Sequence, residues 1–139
     1  MKVAVITGAS SGIGRAVAVE LHRRGWAVGV TARRQEPLEE LCADLGDRCG
    51  WAVTDVGDRE QTARAMADLK SQLGVFDLVI ANAGIGLINP AFRFDYDSLE
   101  RTFRTNVMGV VHTVEPVLND MIARESGHIA VVSSVAGYR

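Results

Sequence analysis

Short runs of β-branched and aliphatic residues alternate along this chain with longer stretches in which apolar positions recur every three or four residues. The short runs are Lys2 to Thr7, Ala27 to Thr31, Gly50 to Val53, Leu78 to Ala81 and His128 to Ser133. Their nearly unbroken apolar character is that of strands buried on both faces. The longer stretches, at about Ile13 to Arg24, Pro37 to Leu45, Arg59 to Leu73 and Ser98 to Arg124, carry the helical period. Gly25 stops the first helix, Pro37 suits the first turn of the second, Asp58 is placed to cap the third and Gly74 ends it. The last helix shows a broad stripe of Val107, Val110, Val111, Val114, Val117, Leu118, Met121 and Ile122, expected to pack on the sheet, with a slight bend at Pro116.

Strands alternating with helices predict an α/β domain built on a parallel sheet with helices on both faces. Right-handed crossovers leave few arrangements, and the expected strand order is 3-2-1-4-5, a Rossmann-like doubly wound sheet occupying residues 1–139 as one domain. In such a sheet ligands bind beyond the carboxyl ends of the strands where the order reverses, here between the first and fourth strands.

The chemistry-bearing motifs fall at those ends. After strand one comes Thr7-Gly8-Ala9-Ser10-Ser11-Gly12-Ile13-Gly14, opening the first helix. Glycines there let the chain turn sharply and bring backbone N–H groups against a pyrophosphate, where the helix N-terminus favours negative charge. Asn82-Ala83-Gly84 follows strand four, and Ser133-Ser134-Val135-Ala136-Gly137 ends strand five. The Gly-x-x-x-Gly-x-Gly spacing with these two motifs, in this order, resembles the short-chain dehydrogenase/reductase family in its single-domain form, over Lys2 to Arg139.

An acid about 20 residues beyond the glycines accepts the ribose hydroxyls of NAD, whereas an arginine there suits the 2′-phosphate of NADP. Counting on from Gly14 reaches Ala32, Arg33 and Arg34, with no carboxylate before Glu36, which favours NADP(H) over NAD(H). The resemblance implies Ser10 and Arg33 as phosphate contacts, and the glycine turn, Gly8 and Ser11 to Gly14, as the cradle. It also implies an adenine contact at Asp55 and Val56; from the residues alone, Asp55 equally suits the start of the turn toward the third helix. Asn82, Ala83 and Gly84 are expected beside the cofactor, with Asn82 also bonding backbone across the sheet.

Carbonyl reduction needs a hydride donor, a proton donor and a group that polarises the oxygen. The resemblance implies Ser134 as the polarising serine and Asn106, in Arg104-Thr105-Asn106-Val107, as the asparagine that holds a water in the proton path. An asparagine inside an apolar helical pattern also suggests a tertiary task by itself. The family's Tyr-x-x-x-Lys is absent: Tyr138 follows Ser134 too closely, Tyr96 precedes the last helix, and Lys70 is the final lysine. The expectation is a truncated chain with an unpaired apolar edge at strand five, representing an enzyme that interconverts an alcohol and a carbonyl on a small-molecule substrate. A noncatalytic nucleotide-binding module and a strand-swapped fragment remain as other readings.

Composition narrows the field further. With 139 residues, 47% hydrophobic, 23% charged and a net charge of −2, the chain is sized for one globular core and lacks the basic field a nucleic acid requires. No apolar run approaches the ~20 residues of a membrane span or the core of a signal peptide, so a cytoplasmic location is expected. Cys42 and Cys49 fit no metal or redox spacing and are expected to be reduced packing residues; His22, His112 and His128 share no ligand spacing, so no metal is expected. The resemblance further implies a homo-oligomer formed through the helix that carries Asn106.

Overall fold

The computed structural model describes residues 1–138; Arg139, the last residue of the expected domain, lies outside them. The chain runs β1 (Val3–Thr7), α1 (Gly12–Arg23), β2 (Ala27–Ala32), α2 (Glu36–Leu45), β3 (Cys49–Val53), α3 (Arg59–Leu73), β4 (Leu78–Ala81), α4 (Tyr96–Phe103), α5 (Gly109–Ala123) and β5 (His128–Val131). All strand pairs are parallel and the order is β3-β2-β1-β4-β5, as the alternation predicts. Thr7 pairs with Thr31 of β2, while the β1–β4 register ends one step earlier, at Ile6 with Ile80.

Every residue of β1 is buried, and the strand's period of two sends its side chains to two separate cores. Val3 and Val5, with Ala27 and Val79, pack under Ala65, Met66 and Leu69 of α3 and Val117 and Met121 of α5. Ala4 and Ile6, with Val28, Val30 and Ile80, pack under Ala18 of α1 and Leu38 and Leu41 of α2. The helix ends follow the sequence signals: Gly25 (φ 90°) donates to His22 O at 3.0 Å, and Gly74 (φ 93°) to Lys70 O at 2.9 Å. The Asp58 carboxylate caps α3 by accepting from Gln61 N at 2.9 Å, and this bond holds its pKa below the ordinary value. Among the described residues no helix is long and apolar enough to cross a membrane, and no cluster of three or more His, Cys, Asp or Glu is gathered to hold a metal.

Three expectations are corrected. The helix expected over Ser98 to Arg124 is a helical run in three parts, with a π-helical segment at Arg104–Met108 between α4 and α5; Pro116 lies further on, inside α5. The face α5 turns to the protein is Gly109, His112, Thr113, Val117 and Met121, whereas Val107, Val111, Leu118 and Ile122 are exposed. Both faces are apolar enough to satisfy the period, and the glycine face wins because it admits the closer approach: a Cβ on Gly109 would lie 2.6 Å from Val56 Cγ2. Third, Cys42 and Cys49 are joined in a disulfide, because the turn from α2 into β3 brings their Cα atoms to 5.0 Å.

Leu69 is fully buried between α3 and the sheet, so Leu69→Ala is expected to lower the unfolding free energy by about 2–5 kcal/mol in urea titrations. A loss below about 1 kcal/mol would show that this core is not closely packed. Because the pKa of Asp58 is depressed, its contribution is present above the unfolded-state value and lost as pH falls through the folded one. The difference in melting temperature between the native chain and Asp58→Ala should therefore shrink on acidification; a constant difference contradicts the cap.

Candidate functional site

Where the strand order reverses, the chain leaves β1 toward one face of the sheet and β4 toward the other, and a cleft of about 570 Å³ opens at the carboxyl ends of the strands. Its lining comes from four consecutive crossings. The glycine turn supplies Gly8, Ser10, Ser11 and Ile13; the end of β2 supplies Thr31 and Ala32 with Arg33 and Arg34 beyond it. Thr54 and Val56 follow β3, Asn82 to Ile85 follow β4, and Thr105 reaches in from the π-helical segment.

The glycine turn sits against the β4 end, backbone to backbone at Gly8 and across the Asn82 side chain at Gly14. Gly8 has φ 68°, and a Cβ there would lie 2.7 Å from Ala83 Cα. On Gly14 a Cβ would stand 2.5 Å from Gly8 O and 2.6 Å from Asn82 Nδ2. Asn82 fills that contact, its Nδ2 donating to Thr7 O at 3.0 Å and Gly8 O at 3.3 Å, the cross-sheet bonding the sequence suggested. The Thr7 hydroxyl accepts from Asn82 N at 3.0 Å and Ala83 N at 3.1 Å, so one side chain terminates both strands. Ala9 N donates to Thr31 O at 3.0 Å and ties the turn to β2 on its other side. Gly12 (φ 57°) then opens α1, whose first N–H groups have no partner within the helix and favour an anion at this end.

Gly12 and Gly14 shape the turn without lining the cleft, while Arg33 lines it as expected. Arg34 lines it too, and its Nη2 donates to Ser10 Oγ at 3.4 Å. Among the described residues no carboxylate lines the cleft. Asp55 stands outside the lining: its Oδ1 accepts from Gly57 N at 2.9 Å and closes the turn toward α3, leaving Val56 as the cleft wall on this side.

Asn106 lies in the π-helical segment, and both ends of its amide are used on one residue: Nδ2 donates to Ile85 O at 2.8 Å and Oδ1 accepts from Ile85 N at 2.8 Å. The pairing fixes which way the amide faces and pins the loop after β4 to the helical run. Ser134 follows β5, exposed, with its Oγ accepting from Ala136 N at 3.1 Å, and is not part of the cleft lining. The structure thus gathers the glycine turn, Arg33, Val56 and Asn82 to Gly84, holds Asn106 one residue behind the wall, and leaves Asp55 and Ser134 at the edge. Thr7, Ile85 and Thr105 were not singled out by sequence, and Arg34 was reached there only as the residue after Arg33. A hydroxyl residue closing an otherwise apolar strand was the available signal for Thr7, and adjacency to Arg33 for Arg34.

The chain is similar in sequence and in fold to known oxidoreductases. The chain is 39% identical over 139 residues to the glycine betaine reductase ATRR of Emericella nidulans, covering 98% of this chain and 11% of that protein. It is 34% identical over 136 residues to the NADP-dependent 3-hydroxy acid dehydrogenase YdfG of Shigella flexneri, covering 97% of this chain and 55% of that one. Among solved structures it superposes on an alcohol dehydrogenase from the archaeon Thermococcus sibiricus, complexed with 5-hydroxy-NADP, with a TM-score of 0.90 and 32% identity over 96% of this chain and 58% of that one. The chain spans little more than half the length of the bacterial relatives it matches. The short chain dehydrogenase pattern is matched from residue 2 to residue 139, and the chain belongs to that family.

Proposed function

We propose that residues 1–139 form the nucleotide-binding part of a single-domain, NADP(H)-dependent oxidoreductase that interconverts an alcohol and a carbonyl on a small-molecule substrate. The observation that carries this reading is the cleft itself, lined by two arginines and, among the described residues, no carboxylate, beyond a turn with no room for a side chain at Gly8 or Gly14. A bound nicotinamide nucleotide supplies or accepts the hydride. The residues present fit such a group. The backbone from Gly8 to Gly14, with Ser10, Ser11 and Ile13 on the cleft, offers N–H and hydroxyl donors and the positive end of α1 to a pyrophosphate. Arg33, with Ser10 and Arg34 beside it, offers charged donors to a 2′-phosphate. Val56 forms the adenine wall with Asp55 shaping its turn, and Asn82, Ala83 and Gly84 border the remaining length of the cleft.

Asn106 keeps the Ile85 loop against this border, and Ser134 is assigned as the hydroxyl that polarises a carbonyl oxygen. No Tyr-x-x-x-Lys occurs within residues 1–139, so the proton donor is assigned to none of them. The NADP named for the 3-hydroxy acid dehydrogenase and the 5-hydroxy-NADP of the archaeal alcohol dehydrogenase support the choice of cofactor. Homo-oligomerisation through the exposed apolar face of α5 accompanies this reading.

The test is a pair of fluorescence titrations with NADPH and NADH. The native chain should bind NADPH more tightly by about tenfold to a hundredfold, the range one charge-assisted phosphate contact provides. Arg33→Asp should abolish or reverse that preference. Equal affinities in the native chain, or an unchanged ratio in the variant, would remove the assignment of NADP(H).

A further inference from the structure

Helix α5 carries a buried imidazole whose one polar contact lies on the cleft wall. His112 is 8% exposed, and its Nδ1 stands 2.8 Å from the carbonyl oxygen of Val56. A carbonyl only accepts, so Nδ1 carries the proton and His112 is the donor. Val56 is itself 5% exposed and forms the wall after β3. One turn earlier on the same helix, Gly109 meets the Val56 side chain so closely that a Cβ would lie 2.6 Å from Cγ2. The residue is therefore gripped at both ends, its carbonyl by His112 and its side chain by the bare backbone of Gly109. Without the imidazole donor the Val56 carbonyl would be buried and unpaired, and the loop would gain by turning it outward to water.

We propose that His112 is a positioning residue for the adenine half of the nucleotide site: its Nδ1–H fixes the Val56 carbonyl, and so holds the wall on which the adenine rests. This rests on the NADP(H) reading of the cleft. It makes the helical run from the π-helical segment into α5 serve both ends of the nucleotide, since Asn106, in that segment, holds the Ile85 loop after β4.

The two halves of the nucleotide separate the effects. Adenosine 2′,5′-bisphosphate probes the adenine side and nicotinamide mononucleotide the other, each titrated by calorimetry against the whole chain. If the native chain binds neither, the nucleotide reading fails and this proposal fails with it. If it binds the bisphosphate, His112→Leu should weaken that binding by about fivefold to thirtyfold and change mononucleotide affinity by less than about twofold. His112→Asn, whose amide Nδ2 takes the place of Nδ1, should recover bisphosphate affinity to within about threefold of native. Unchanged bisphosphate binding in His112→Leu, or equal weakening toward both probes, overturns the proposal. Nitrogen NMR on the native chain decides it without substitution: the His112 Nδ1 resonance should move on adding the bisphosphate and not the mononucleotide, and a resonance indifferent to the bisphosphate overturns it.

Discussion

The cleft exists because two stretches of backbone meet with room for no side chain but that of Asn82. Gly8 lies against Ala83 and Gly14 against Gly8 and Asn82, at separations that exclude even a methyl group. Two strand ends brought that close would leave buried N–H and C=O groups facing one another out of register. The Thr7 hydroxyl and the Asn82 amide take up those groups, each serving two backbone atoms. With the split between β1 and β4 held at a set width, the glycine turn, the arginines after β2 and the loop after β4 all face the same space. Substituents at the two glycines and loss of the two polar side chains are different routes to one failure, the loss of that set width.

The walls are held differently from the floor. The floor is tied strand to strand, but the wall after β3 and the loop after β4 both depend on the helical run that ends in α5, through Val56 and Ile85. That run is anchored beneath by Val117 and Met121 in the core and flanked by ion pairs from α3, Arg59 with Glu115 and Lys70 with Asp120. Such exposed pairs add little stability. The apolar contact below them is what sets the height of the helix over the sheet.

The fold was readable because its signals are local. Strand runs, the caps at Gly25, Gly74 and Asp58, and the glycine turn each act within a few residues, and the crossover rule converts them into a strand order. What was missed depends on three-dimensional contacts that neighbouring residues do not announce. Thr7 matters through residues 75 and 76 positions on, and its local signal is no more than a hydroxyl closing an apolar strand. Asp55 reads both as a ligand contact and as the start of a turn, and its Oδ1 serves the turn two residues further on, at Gly57. The inward face of α5 was misjudged since valines line both sides, and only the approach of Val56 to Gly109 selects one. The Cys42–Cys49 pairing needs the geometry of the α2–β3 turn, which seven residues of separation do not reveal.

The π-helical segment between α4 and α5 has a consequence for how this helix tolerates change in length. A π turn takes in one residue more than the α-helical bonding pattern, and one residue is about 100° of rotation. Asn106 faces Ile85 from within the widened turn, while Gly109 and His112 face Val56 from the regular helix just after it. The surplus residue acts as a phase shifter, giving the two addresses bearings that an uninterrupted α-helix would not give them. Deleting Val107 or Met108 would leave Asn106, Gly109 and His112 all in place and still change the angle between the Ile85 and Val56 contacts.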